Sequence, residues 1–505
     1  MVEISNNARR YSELLLADRH RPAWHFAIPY GCGMPGDPNG AFFADGQYHL
    51  MYLYRNHHTA AYHWGHLVSA DLLHWRQLPD ALTGIDGDEG CFSGGAFLDD
   101  DGTAYLTFWK FAAKDGSDHS GIGMARSTPP YVVWERMKPI AVDSTVWGIR
   151  DIEVDGKTVH TGCADPSNIW KAEGRYYMQL GNLCVLDKYG RSPDSPAEYR
   201  GDWTELYRSD DLINWEYLHR FYSRMTGFPG APDDSEDDMC PSFLPLYDKP
   251  EGGEFTGKYL QLFISHNKGC QYYVGRLENE CFIPESHGRM SWVDNTFFAP
   301  EALVDDRNRH IMWAWLTDNR GDEFNRFGWT GVYSFPRLLW LEGEELSMAP
   351  VPELDSLMCN ERDPGLAPGS LYIPETPDAF RLKAVFDLRG GGRAGLRICA
   401  SPDGSEYTDI YADSKTGELV FDARKSGPEG RRVREAAPFT VSEDGILNLD
   451  IFFDRSVAEA YADNRRAICR RVYNSPGSEG ISLIAEGSAT LTGCKVWSMR
   501  GTNPC

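Results

Sequence analysis

A chain of 505 residues with 42% hydrophobic and 25% charged residues has a globular composition and the length for more than one domain. Its formal net charge of -24 opposes phosphate backbones, so a nucleic-acid partner is not expected and neutral ligands remain open. No run of about 18 apolar residues predicts a membrane span.

The opening "MVEISNNARRYSELLLADRHRP" lacks an apolar core and a cleavage pattern, so it does not read as a secretory signal; "SELLLADRH" predicts one short helix. Strand-like runs then dominate: "AFFADGQYHLMYLY", "GGAFLDDDGTAYLTFWK", "NIWKAEGRYYMQLG", "GKYLQLFISH" and "RHIMWAWL". "FFADGQYHL" and "FLDDDGTAYL" are each a strand, a tight turn and a strand, with "IWKAEGRYYM" and "LVDDRNRHIMW" as looser versions. Strand–turn–strand units recurring at uneven spacing suggest propeller blades. "SMAPVPELDSLMCNERDPGLAPGS" is rich in Pro and turn residues and reads as a linker. A second series of short strands follows, from "FRLKAVFDL" to "GISLIAEG", which predicts a β-sandwich. The expected division is an N-terminal segment (1–22), a propeller (23–342), a linker (343–364) and a sandwich (365–505). The fold class is all-β, and the 13% aromatic content suits such a core. The twelve cysteines contain no CxxC, which favours reduced thiols and a cytoplasmic protein. His57, His58, His63, His66 and His74 fit no HExxH metal spacing.

"GCGMPGDPNG" (31–40) is ordinary turn chemistry when read alone. Its surroundings, "WHFAIPYGCGMPGDPNGAFFADGQYHLMYLY", resemble the N-terminal signature of glycoside hydrolase family 32, the β-fructosidases. The resemblance continues through "YHWGHLVSADLLHWRQLPDAL", "CFSGGAF", "ADPSNIW", "LYRSDDLINWEYL", "CPSFLPL", "YYVGRLENECFIPESHGRM", "FFAPEALVDD", "GWTGVYSFPRLLWL" and "FFDRSVAEAYADNRRAICRRVY", in family order over nearly the whole chain. It implies a five-bladed β-propeller with the active site at its axis, followed by a β-sandwich, with no cofactor and no metal. It also implies a small carbohydrate substrate, and it leaves the oligomeric state open.

By the same resemblance Asp37 is the nucleophile and Asp165 the carboxylate that steadies the transition state, as a retaining two-carboxylate mechanism needs. Phe92 and Ser93 match a family segment that lines the sugar pocket, and Asn39, Glu301 and Trp64 are further substrate-binding candidates, Trp64 reading equally well as a core residue. The sequence departs from the family at the proton donor. The family has Glu-Cys-Pro, whereas "SEDDMCPSFLPL" puts Met239 in the glutamate's place. Asp238 is the first replacement to consider, because it is adjacent, with Asp237, Glu236 and Glu301 as others; a bulge would have to re-aim Asp238. Ala164 stands where the family has Arg, and Leu53 where it has Gln. The expected function is a glycosidase or transglycosylase acting on a fructofuranoside. An inverting or arabinofuranoside-type glycosidase and a non-catalytic carbohydrate-binding propeller are the alternatives.

Overall fold

The computed structural model describes residues 13, 17–28, 32–56, 59–84, 90–112, 119–223, 232–233, 235–321 and 323–502. The helix expected at 12–20 lies largely outside them, and His57 and His58 wholly so.

Five antiparallel blades account for the first two-thirds of the chain. Blade I is Cys32–Ala44, Gln47–Asn56, Tyr62–Ser69 and Arg76–Leu82. Blade II is Ala96–Leu98, Ala104–Phe111 and Gly121–Ser127, with Glu135–Arg136 on its edge. Blade III begins with the interrupted strand Ala164–Pro166 and Trp170–Ala172, then Arg175–Gly181, Trp203–Ser209 and Trp215–Ser223. Blade IV runs Met239–Lys249, Gly252–Ser265, Gly269–Glu278 and Cys281–Arg289, and blade V runs Phe297–Val304, His310–Leu316, Arg337–Glu342 and Glu345–Pro350. The first strands meet around one axis in ring order. At the II–III contact only a glycine fits: a Cβ on Gly95 would lie 2.3 Å from the Asn168 amide nitrogen.

The four hairpins visible in the sequence join the first and second strands of blades I, II, III and V. Asp45-Gly46 and Glu173-Gly174 have positive φ at both residues, the backbone that a two-residue hairpin requires. In blades I, III, IV and V the first strand also breaks register, at Gly40, Asp165, Cys240 and Ala299, each with φ between +37° and +55°. The last three precede a proline and are not glycines, so the backbone is held in a costly conformation at the same level of three blades. Such bulges bend the strand at the axis and aim one side chain into the central funnel.

Residues 343–364 are not a linker. Glu345–Pro350 completes blade V, Pro352–Leu357 is a short helix with proline at its start, and Met358–Arg362 joins the sandwich. Pro350 sits at a strand end and Pro352 in a first helical turn, where the missing N–H costs nothing, whereas Pro364 and Pro368 lie in the irregular stretch after Arg362. The sandwich packs a six-stranded sheet on a five-stranded one. Its core contains Leu382, Phe386, Leu396, Ile398, Ile410, Phe421 and Leu449.

The two modules share a buried polar joint. Asp454 accepts the backbone N–H groups of Ala23 (2.7 Å), Trp24 (3.0 Å) and His25 (2.9 Å), and His25 Nδ1 lies 2.9 Å from it. Glu459 accepts the Phe335 N–H (2.8 Å) and the Tyr461 hydroxyl (2.8 Å), and faces Arg337 Nη2 at 3.4 Å. Phe452 and Tyr461 of the sandwich lie in one apolar core with Trp24, Phe335 and Trp340 of the propeller.

Candidate active site

Asp37 lies in the first strand of blade I, on a segment fixed from three sides. Asn39 Nδ2 donates to the Asp37 carbonyl (2.9 Å), and Asn39 Oδ1 accepts the Gly94 N–H of blade II (3.1 Å). The Tyr333 hydroxyl donates to the Gly36 carbonyl (3.1 Å), and Glu301 Oε1 accepts the Ala41 N–H (2.6 Å). Turn residues alone would bend this segment; these bonds set its direction.

The side chain of Asp37 meets groups from two other blades and, through one of them, the carboxylate of a third. Ser93 Oγ donates to Asp37 Oδ2. Cys240 Sγ lies 3.6 Å from Asp37 Oδ2 and 3.3 Å from Asp165 Oδ2, and the Cys240 N–H also donates to Asp165 Oδ2 (3.3 Å). The thiol has one proton for two carboxylates, so one of them always has the poorer partner. Burial raises the Asp37 carboxyl above its ordinary range, against the opposing pull of Ser93 and Cys240. Burial and the charge of Asp37 push Asp165 up to about 7. The unfolded value is 3.8, so the stability linked to this shift is fully present below about pH 3.8 and is lost as pH rises through about 7. Asp165→Asn is therefore expected to raise the melting temperature by a few degrees near about pH 8 and to change it little near about pH 3.5. Equal shifts at the two pH values in calorimetry would refute the raised carboxyl.

The other expected site residues divide. Ser93 and Asn39 hold the Asp37 segment. Phe92 stands in an aromatic wall with Tyr62 (4.6 Å), Phe111 (4.3 Å) and Trp109 (5.8 Å), which continues to the half-exposed Trp147 stacked on Trp109 at 4.3 Å. Trp64 is fully buried, donates its indole N–H to the Phe92 carbonyl (3.2 Å) and packs in the core between blades I and II, not in the funnel. Glu301 supports the strand of Asp37 from behind.

Asp238 is not brought to Asp37 and Asp165. The bulge falls one residue later, at Cys240, and turns that side chain into the site instead. Asp238 is fully buried, its carboxyl oxygens have no hydrogen-bond partner among the described residues, and burial and the charge of Asp202 raise it far above the carboxylate range. Glu236 is held by Arg289 (2.8 Å) and Gln271 (2.7 Å). Met239 is buried against Gly181, and its Sδ accepts the Leu183 N–H at 3.4 Å. Glu236, Asp237 and Asp238 are all buried.

Two residues that motif reading did not single out belong to the site. Cys240 is the junction of the two carboxylates. His266, at the end of the second strand of blade IV, has its side chain 49% exposed and its Nδ1 2.7 Å from Asp237 Oδ2. Its ring meets Phe298 edge-on at 5.6 Å. Burial would lower its pKa, but Asp237 and the charges of Asp165 and Asp37 raise it. No local motif marks His266; the packing of blade IV against blade V brings its ring to Phe298, within reach of the charges of Asp37 and Asp165.

The family model described as the glycosyl hydrolases family 32 N-terminal domain matches residues 25–350, and the C-terminal model of the same family matches residues 359–498. The chain belongs to glycosyl hydrolase family 32. This makes the protein a glycosidase. It is 25% identical to a sucrose-6-phosphate hydrolase of Zymomonas mobilis, over 100% of this chain and 97% of the relative, and 26% identical to a fructan 1-exohydrolase of Aegilops tauschii, over 92% and 85%. Among solved structures, fructan 1-exohydrolase IIa from Cichorium intybus is similar with a TM-score of 0.77, at 21% identity, covering 96% of this chain and 98% of that one. The sucrose-6-phosphate hydrolase of Lactobacillus gasseri gives 0.76 at 19% identity, covering 99% and 97%. These likenesses establish the propeller-plus-sandwich architecture for this family 32 member. Of the histidines tested against the HExxH spacing, His63 pairs with Asp80 (3.0 Å), His66 with His49 (2.9 Å) and His74 with Asp71 (2.7 Å).

Proposed function

We propose that this family 32 glycosidase hydrolyses terminal β-fructofuranosidic bonds with retention of configuration, acting on sucrose-type substrates or short fructans. Asp37 attacks the anomeric C2 and carries the fructosyl ester. Asp165 holds the ring hydroxyls and the developing positive charge, and water then releases fructose. The observation that carries this reading is the pair of buried carboxylates meeting at one cysteine sulfur, on a strand fixed from several blades. The names of the sequence relatives support the substrate class, and the aromatic wall from Phe92 to Trp147 offers flat apolar faces for the leaving sugar. The intact carboxylate pair favours catalysis over a sugar-binding role, which Met239 alone would suggest.

A cytoplasmic setting fits the ten free cysteines among the described residues, and no helix there is long and apolar enough to cross a membrane. The test is a hydrolysis screen over sucrose, sucrose 6-phosphate, 1-kestose, inulin and an aryl arabinofuranoside. Fructose release from at least one fructoside, with the arabinoside untouched, is the expected result. Binding of a fructoside in calorimetry without any release would establish the binding-protein reading instead.

A further inference from the structure

We infer that His266, oriented by Asp237, is the general acid and base that the missing glutamate leaves unfilled, so that the proton donor has moved to the turn after the second strand of blade IV. The inference rests on the fructosidase reading above.

The geometry excludes the acidic neighbours one by one. Met239 has no proton to give and is packed against Gly181 and Leu183. Asp238 faces Asp202 from a closed interior position, and Glu236 is tied to Arg289 and Gln271. Asp237 is itself buried, with both oxygens turned to the backbone N–H and ring of His266. Asp237 therefore holds the half-exposed imidazole of His266 and is not itself exposed. With Nδ1–H given to the carboxylate, the tautomer is fixed and Nε2 is the nitrogen left to exchange protons. The ring is half-exposed, stands edge-on to Phe298 beside the Ala299 bulge, and feels the charges of Asp37 and Asp165. A donor beside a glycosidic bond must be both wet enough to be recharged and close to the nucleophile's carboxylate. Among the titratable groups near Asp37, His266 meets both conditions.

Charged groups on several elements bear on this histidine. Asp237, Asp37 and Asp165 favour its imidazolium, and Arg191, 3.7 Å from Asp237 Oδ1, weakens the support from Asp237. In the first step Asp37 Oδ forms a bond to C2, the C2–O bond to the leaving sugar breaks, and the Nε2 proton passes to that oxygen. In the second step neutral Nε2 takes a proton from water, the hydroxide oxygen bonds to C2, and the Asp37–C2 bond breaks to return the carboxylate. Atoms and charge balance, and the imidazolium is regenerated.

The test compares wild type, His266→Gln and Asp237→Asn on sucrose and on 4-nitrophenyl β-fructofuranoside, whose leaving group departs without protonation. For His266→Gln the expected result is a loss of kcat on sucrose of about 10²–10⁴-fold. The loss on the aryl substrate should be far smaller, with azide accelerating turnover through a fructosyl azide product. Asp237→Asn, as a positioning change, should move the alkaline limb of the kcat/KM profile to lower pH, which a merely structural role would not do. Equal losses of His266→Gln on both substrates, or no loss on sucrose, would overturn the assignment while leaving the fructosidase reading in place. A wild type that cleaves neither substrate would overturn both.

Discussion

Asp37→Asn is expected to lower kcat on the best fructoside by about 10⁴-fold or more, the scale seen when a covalent nucleophile is removed. The loss should appear on activated and natural substrates alike, because both need the ester. The folded state should not suffer. Asparagine can still accept from Ser93, and the substitution removes a carboxylate whose ionised form is disfavoured by burial. Melting curves measured beside the kinetics should therefore show an unchanged or raised midpoint. Wild-type turnover in this variant would remove Asp37 from the nucleophile's role, and a collapsed melting curve would make it a structural residue.

The largest stability effect is expected far from the chemistry, at Glu459. This carboxylate is fully buried and receives the Phe335 N–H and the Tyr461 hydroxyl, with His25 and Arg337 beside it. Burial pushes its pKa up, but the His25 bond and the charges of Arg337 and His25 prevail and hold it at about 2. The unfolded value is 4.5, so this stabilisation is present above that pH and is lost as pH falls through about 2. Glu459→Ala leaves two buried cations and two donors without their acceptor, and should cost about 3–5 kcal/mol near neutral pH. Denaturant melts should show this loss shrinking as the pH falls below the unfolded value. A cost under about 1 kcal/mol would mean that the apolar contacts of Trp24, Phe335 and Phe452 hold the modules together without the polar joint.

Much of this architecture can be read from residue order. The strand–turn–strand units of blades I, II and III are legible because Asp-Gly and Glu-Gly turns punctuate alternating apolar runs, and that of blade V because Asp305 to Asn308 form a polar break between two such runs. Blade IV turns through Pro250-Glu251, and only its second strand, "GKYLQLFISH", stands out in the sequence. The prolines of residues 343–364 suggested a linker because composition cannot distinguish a proline between elements from one at an element's end. Asp37 and Asp165 are legible through their motifs. The fate of the "SEDDMCP" carboxylates is not, since it depends on where the bulge falls: at Cys240 it brings a thiol to the axis and leaves Asp238 behind. His266 is illegible for the same reason, as nothing in "FISHNKG" says which face of blade IV meets the funnel.

The proposed mechanism requires Asp37 to become covalently bonded to the sugar. The measurement is acid quench of the wild type during turnover of a fructoside, followed by proteolysis and mass spectrometry of the peptide that carries Asp37. The account predicts a fraction of that peptide heavier by one fructosyl residue, the mass lying on the Asp37 side chain and absent from Asp37→Asn. Steady turnover with the Asp37 peptide unmodified and the adduct on another carboxylate would contradict it.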